Sequence, residues 1–190
     1  MHMKKYFTLI ILSFLSISLF SQNVEDGLRI QVGLPFAKYG KFDKNFKNGS
    51  ETQYPSLLIQ ADKPWRDGFR LGAYIGFAGQ KNKSSLSEYG NVTYNYYRLG
   101  GVVSYDLNDL LEAINISPEF GVDLYASLKT GFSLEHIKVD QGITNKDNNI
   151  LFDFGILIGG RYNISDNIDV FTELGYGNAG FVTFGLAFKM

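Results

Sequence analysis

Apolar residues alternate with polar or small ones along most of this chain, and the alternation falls into eight runs. A period of two sends successive side chains to opposite faces of an extended strand, so each run predicts a strand with one apolar face. The first run carries Leu28, Ile30, Val32, Leu34 and Phe36; the second is weaker, with Leu57, Ile59 and Ala61. The third carries Phe69, Leu71, Ala73, Ile75 and Phe77, and the fourth Tyr97, Leu99, Gly101, Val103 and Tyr105. The fifth is the longest, with Phe120, Val122, Leu124, Ala126, Leu128, Thr130, Phe132 and Leu134. Phe152, Phe154, Ile156, Ile158 and Tyr162 mark the sixth, Ile168, Val170, Leu174 and Tyr176 the seventh, and Val182, Phe184, Leu186 and Phe188 the eighth.

The connections differ in length in a regular way. Long polar segments (37–53, 80–90 and 136–149) alternate with tight ones (63–68 and 165–167), a final short turn at 177–180 being the exception. Long loops at one end and short turns at the other predict an all-β, antiparallel, up-and-down barrel of eight strands, crossing a membrane with extracellular loops and periplasmic turns. The connection 106–117 is of middle length, and Leu107, Leu110, Leu111 and Ile114 fall in it at helical spacing. With Asp109 and Glu112 placed as a capping box, it predicts a short helix at the periplasmic rim.

The strands are preceded by Met3-Lys4-Lys5 and an apolar stretch of 14 residues, Tyr6–Leu19, then polar Ser21-Gln22-Asn23. A short basic region and an apolar segment too short to span read as an export signal, with cleavage near Ser21 or Gln22. Residues 1–21 are then the signal, Met1-His2 a cloning remnant or an early start, and 22–190 a single barrel domain. Leu19 stands where the usual cleavage site has a small residue. Loss of Lys4 and Lys5 turns 18 basic residues into 16 against 19 acidic ones, net −3. That balance gives no support to nucleic-acid binding. The absence of cysteine excludes disulfides, thiolate metal sites and a lipid anchor on cysteine.

Alternation alone also fits a soluble, lipocalin-like binding barrel with its apolar face inward, and three features bear on the choice. First, Gly33, Gly72, Gly76, Gly100, Gly121, Gly131, Gly155, Gly159, Gly175 and Gly185 all share the second, non-apolar face; only Gly101 and Gly160 break the rule. Glycine weakens strands, and the narrow interior of an eight-stranded barrel gives it a reason that a solvated face does not. Second, the same face carries Arg29, Arg70, Arg98, Asp123, Lys129, Asp153, Arg161, Asp169 and Glu173. Near balance of sign predicts a polar network filling the lumen, with Arg161 opposite or diagonal to Asp169 and Glu173. Third, aromatic pairs recur near the ends of the apolar faces: Phe69 and Phe77, Tyr97 and Tyr105, Phe120 and Phe132, Phe152 and Tyr162. Their separations correspond to roughly 19–28 Å of height on tilted strands, close to the apolar band between two aromatic girdles.

With this strand count, alternation, loop asymmetry and the terminal Phe184-Gly-Leu-Ala-Phe188, the chain resembles the small eight-stranded outer-membrane β-barrels of Gram-negative bacteria, the group of the OmpA transmembrane domain and OmpX. The resemblance covers the region after the signal. It implies an outer-membrane, non-enzymatic and monomeric barrel without cofactor, in contact with outer-membrane lipid and lipopolysaccharide. It also implies that Phe184, Leu186 and Phe188 form the C-terminal signal read by the barrel-assembly machinery, although Lys189-Met190 follow where the family ends on its aromatic residue.

Candidate chemistry is sparse. Some barrels of this architecture modify lipid A with a histidine near a serine and an acid. Here His136 follows Ser133 and Glu135, but an extended strand sends His136 outward and the other two inward. The first long loop interleaves Lys38, Lys41, Lys44 and Lys47 with Tyr39, Phe42 and Phe46, which suits lipopolysaccharide phosphates at head-group level as well as it suits a plain solvated loop. No residue spacing suggests a metal site or a phosphate-binding loop.

Overall fold

The computed structural model describes residues 27–36, 51–83, 91–113, 122–139, 148–177 and 182–190. Eight strands follow in order: β1 (Arg29–Phe36), β2 (Glu51–Arg66), β3 (Phe69–Lys83), β4 (Asn91–Asp106), β5 (Val122–Val139), β6 (Asn148–Ser165), β7 (Ile168–Gly177) and β8 (Val182–Lys189). Each pairs antiparallel with its neighbours in sequence, and β1 pairs with β8 from Arg29↔Lys189 to Phe36↔Val182. The sheet therefore closes into a barrel with no open edge along that seam. Three strands outrun the apolar runs that announce them: β3, β4 and β5 continue past Phe77, Tyr97 and Leu134 into polar sequence toward the long loops.

The short connections are built by turn chemistry. Asp67-Gly68 joins β2 to β3, and Gly68 adopts φ 77°, a left-handed conformation that glycine takes without a Cβ clash. Asp166-Asn167 joins β6 to β7. After β4, Asn108–Ala113 forms a helical stretch of six residues, α1. Its first turn begins on Asp106, whose Oδ1 accepts from the Asn108 N–H at 3.0 Å. The Asn108 side chain ties this connection to β5, accepting from Leu124 N at 3.0 Å and donating to Asp123 Oδ1 at 3.2 Å.

The barrel is inside-out relative to a protein folded in water. Every described residue of the eight apolar faces points outward or is partly covered there, with Leu34, Ile75, Leu99, Phe132, Ile158 and Phe184 among the exposed ones. The inward-facing arrangement of a lipocalin-like barrel is not the one found. Cross-strand aromatic contacts stand toward both ends of the outer wall. Phe69 meets Tyr105 at 4.6 Å between ring centres near the short-turn end, and Phe77–Tyr97 (5.5 Å), Phe132–Phe152 (6.3 Å) and Phe36–Phe184 (6.3 Å) lie toward the other. Among the described residues no helix is long and apolar enough to cross a membrane.

Some glycines of the inner face make room for rings. A Cβ on Gly100 would stand 2.6 Å from the Tyr74 ring, and one on Gly185 2.6 Å from Phe171. Tyr74, Tyr125 and Phe171 are all buried inside. Among the described residues the barrel interior is thus occupied by large side chains laid over bare backbone.

Candidate functional site: the polar lumen and its short-turn mouth

Alternation fixes which residues enter the lumen, and strand tilt fixes whom they meet. Arg98 on β4 reaches past β5 to Asp153 on β6: its Nε donates to Oδ2 at 2.8 Å and its Nη2 to Oδ1 at 2.6 Å. Tyr74 OH, from β3, donates to the same Oδ2 at 2.8 Å. Both charged groups are almost wholly buried, 4% and 1% exposed. A second cluster repeats the pattern further along the barrel. Lys129 Nζ on β5 donates to Glu173 Oε2 on β7 at 2.7 Å, and Tyr125 OH donates to Oε1 at 3.2 Å. In each cluster a cation and a tyrosine share one carboxylate, so the buried charge is both paired and hydrogen-bonded, as an ion pair out of water requires.

The remaining lumen charges lie toward the short turns. Arg70 Nε donates to Asp62 Oδ1 at 2.5 Å, and Gln60 Nε2 donates to Oδ2 at 3.0 Å. Lys189 Nζ stands 2.9 Å from Asp169 Oδ1, an ion contact outside hydrogen-bond geometry. Asp123 is held by Asn108. The pairing expected of Arg161 is not formed. It sits diagonal to Asp169 and Glu173 in the β6–β7 register, but those carboxylates take Lys189 and Lys129, and its guanidinium lies over the Tyr125 ring at 3.6 Å. A cation on an aromatic face supplies part of what the missing carboxylate would. Arg29, with Nε and Nη1 buried and no described acceptor, stands near Arg70, Arg161, Asp62 and Asp169.

Three lumen participants carry no clear mark in the sequence. Asp62 belongs to the weakest run, beside Pro64, and only its pairing with Arg70 identifies it as a member. Tyr74 and Tyr125 look like further apolar residues, although their parity places them on the charged face. That parity is the signal that could have found them.

At the long-loop end, Glu135 and Ser133 are buried inside while His136 faces outward. Glu135 accepts from Tyr96 OH at 2.9 Å and from Asn149 Nδ2 at 3.0 Å, and His136 Nδ1 is 2.8 Å from Asn148 Oδ1. The serine, acid and histidine therefore do not converge. Lys38, Lys41, Lys44 and Lys47 lie outside the described residues, as do residues 1–26. Phe184 and Leu186 are exposed on the outer wall and Phe188 is partly covered there.

No protein-family model matches the chain, and no curated protein matches it. Among solved structures it is similar to Neisserial surface protein A, with 16% identity and a TM-score of 0.49 over 86% of this chain and 97% of that one. It is also similar to the N-terminal β-barrel domain of Pseudomonas aeruginosa OprF (13%, TM-score 0.46, 87% and 98% covered) and to Ail, the attachment invasion locus protein of Yersinia pestis (14%, 0.43, 86% and 96%). At these identities and scores, the functional reading rests on the residues of this chain.

Proposed function

We propose that the chain is an integral outer-membrane β-barrel of a Gram-negative bacterium, exported by a signal cleaved near residue 21. Its lumen is plugged by side chains, and it serves envelope structure or surface binding through its long loops, without catalysis. The observation that carries this reading is polarity: large apolar side chains are exposed around the outer wall while ion pairs are sealed inside. In water both arrangements cost free energy; in lipid the outer wall is solvated by hydrocarbon and a closed barrel satisfies its backbone internally. The cross-strand aromatic contacts toward both ends suit the two interfaces. In the same reading the short turns and α1 face the periplasm, Phe184, Leu186 and Phe188 present the assembly signal, and the Lys38–Lys47 loop meets lipopolysaccharide.

Membrane fractionation tests it. The protein should remain in the pellet through carbonate extraction, and its electrophoretic mobility should shift between unheated and boiled samples. Release into the soluble fraction as a folded protein would falsify the membrane assignment. A large, stable conductance in a planar bilayer would contradict a plugged lumen, and altered lipid A in an expressing strain would contradict the absence of catalysis.

A further inference from the structure

The short-turn mouth holds donors that the lumen clusters do not use. Arg29 Nε and Nη1 are buried, and no described residue accepts from them. Of the carboxylates near Arg29, Asp62 is held by Arg70, while Asp169 has Lys189 Nζ at 2.9 Å and accepts no hydrogen bond from Arg29. Arg29 lines a cavity of about 390 Å³ together with Trp65, Arg66 and Arg70, with Asp67 and Asp106 on its wall. Asp106 Oδ1 already accepts from the Asn108 N–H. Arg66 lies over the Trp65 ring at 5.9 Å, and Trp65 and Phe69 are 59% and 40% exposed.

Two features define what fits. The Arg29 guanidinium, with two N–H groups that no described residue accepts, calls for an oxyanion that offers several oxygens, and phosphate does so. Exposed tryptophan beside arginine, at the edge of an apolar wall, is the composition of the head-group level of a membrane. A free anion has no use for the aromatic side of the cavity, whereas a phospholipid uses both. We propose that this mouth binds the phosphodiester of a glycerophospholipid. Arg29 is the inner donor and Arg66 the outer one, and an acyl chain lies along Phe69 and Leu71 on the outer wall. The inference rests on the membrane reading above and extends it to a specific lipid contact at the short-turn end.

The test uses the full chain folded in detergent, with mobility on unheated gels as the check that each variant is a closed barrel. Native mass spectrometry then follows retention of phosphatidylglycerol. Diacylglycerol is the comparator without phosphate, and inorganic phosphate the competitor without tails. Phosphatidylglycerol should be retained, diacylglycerol should not, and millimolar phosphate should leave the complex intact. Arg29→Gln and the exposed Arg66→Gln should each weaken retention by about tenfold, the loss of one charge-assisted bond. Lys138→Gln, at the exposed far end of β5, should bind as the wild type does. Equal retention by Arg66→Gln and wild type, equal binding of diacylglycerol, displacement by phosphate alone, or an equal loss in Lys138→Gln would each overturn the proposal. Failure of the membrane reading is distinct: no heat-modifiable barrel would form in detergent at all.

Discussion

Leu128 and Lys129 are neighbours on β5, yet they inhabit different solvents. The leucine is 43% exposed on the outer wall, and the lysine is wholly buried, 0% exposed, against Glu173. A protein folding in water reverses that choice. Burying a leucine gains about 1.5–3 kcal/mol, whereas burying an ion costs several kcal/mol before any partner offsets it. The inner and outer walls thus teach separate lessons. The outer wall needs only to be apolar and smooth, while the inner wall must set particular groups against each other at defined places, Arg98 on Asp153, Lys129 on Glu173 and Arg161 on the Tyr125 ring.

The comparison breaks most sharply on the inner wall. Arg98→Met leaves the Asp153 carboxylate buried without its guanidinium partner and with the Tyr74 hydroxyl still donating to it, and the expected cost is about 3–5 kcal/mol. Urea unfolding of the barrel in detergent or vesicles measures it. The double variant Arg98→Met/Asp153→Asn should recover most of the loss, because the stranded charge goes with its partner. A single variant as stable as wild type would mean that water enters the lumen there, and the contrast between the walls would collapse. The outer wall comes next. Leu128→Arg places a charge near the middle of the apolar band and should cost about 2–4 kcal/mol or block assembly. Assembly at wild-type yield and stability would show that this face does not meet hydrocarbon.

The two walls were also unequally legible. Outward positions follow from a period of two, and a one-residue slip would turn each strand over, so Leu57, Ile75, Leu99, Phe132 and Phe184 are readable from the chain alone. The same parity names the charged residues that enter the lumen. It does not name their partners. Arg98 meets Asp153 across β5, Lys129 meets Glu173 across β6, and Tyr74 on β3 reaches β6, so these contacts join strands that are not neighbours. They depend on the tilt and stagger of a closed barrel, quantities that no local pattern carries. Reasoning from the β6–β7 hairpin alone gives Arg161 the carboxylates that Lys189 on β8 and Lys129 on β5 in fact contact. Asp62 escapes for a different reason: its run is short and leads into Pro64, so its parity is poorly announced.

The smallest expected effects sharpen the comparison furthest, because one substitution can be made on both walls at adjacent positions. Gly100 faces inward, and a Cβ there would stand 2.6 Å from the Tyr74 ring and closer still to Thr130 O. Gly101 faces outward, where a Cβ would find only Gly72 O, at 3.8 Å. Gly100→Ala must displace Tyr74 from its bond to Asp153 or move the backbone of β5, at a cost of about 1–3 kcal/mol, as for other overpacked sites. Gly101→Ala meets ordinary contact distance and restricts only the unfolded chain, so it should be neutral or stabilise by about 0.4–1 kcal/mol. Parallel urea titrations of the two variants read the difference directly. If both were neutral, the inner wall would have slack and its glycines would not be there for the rings; if both destabilised, glycine would be required by the strand itself, whichever way it faces.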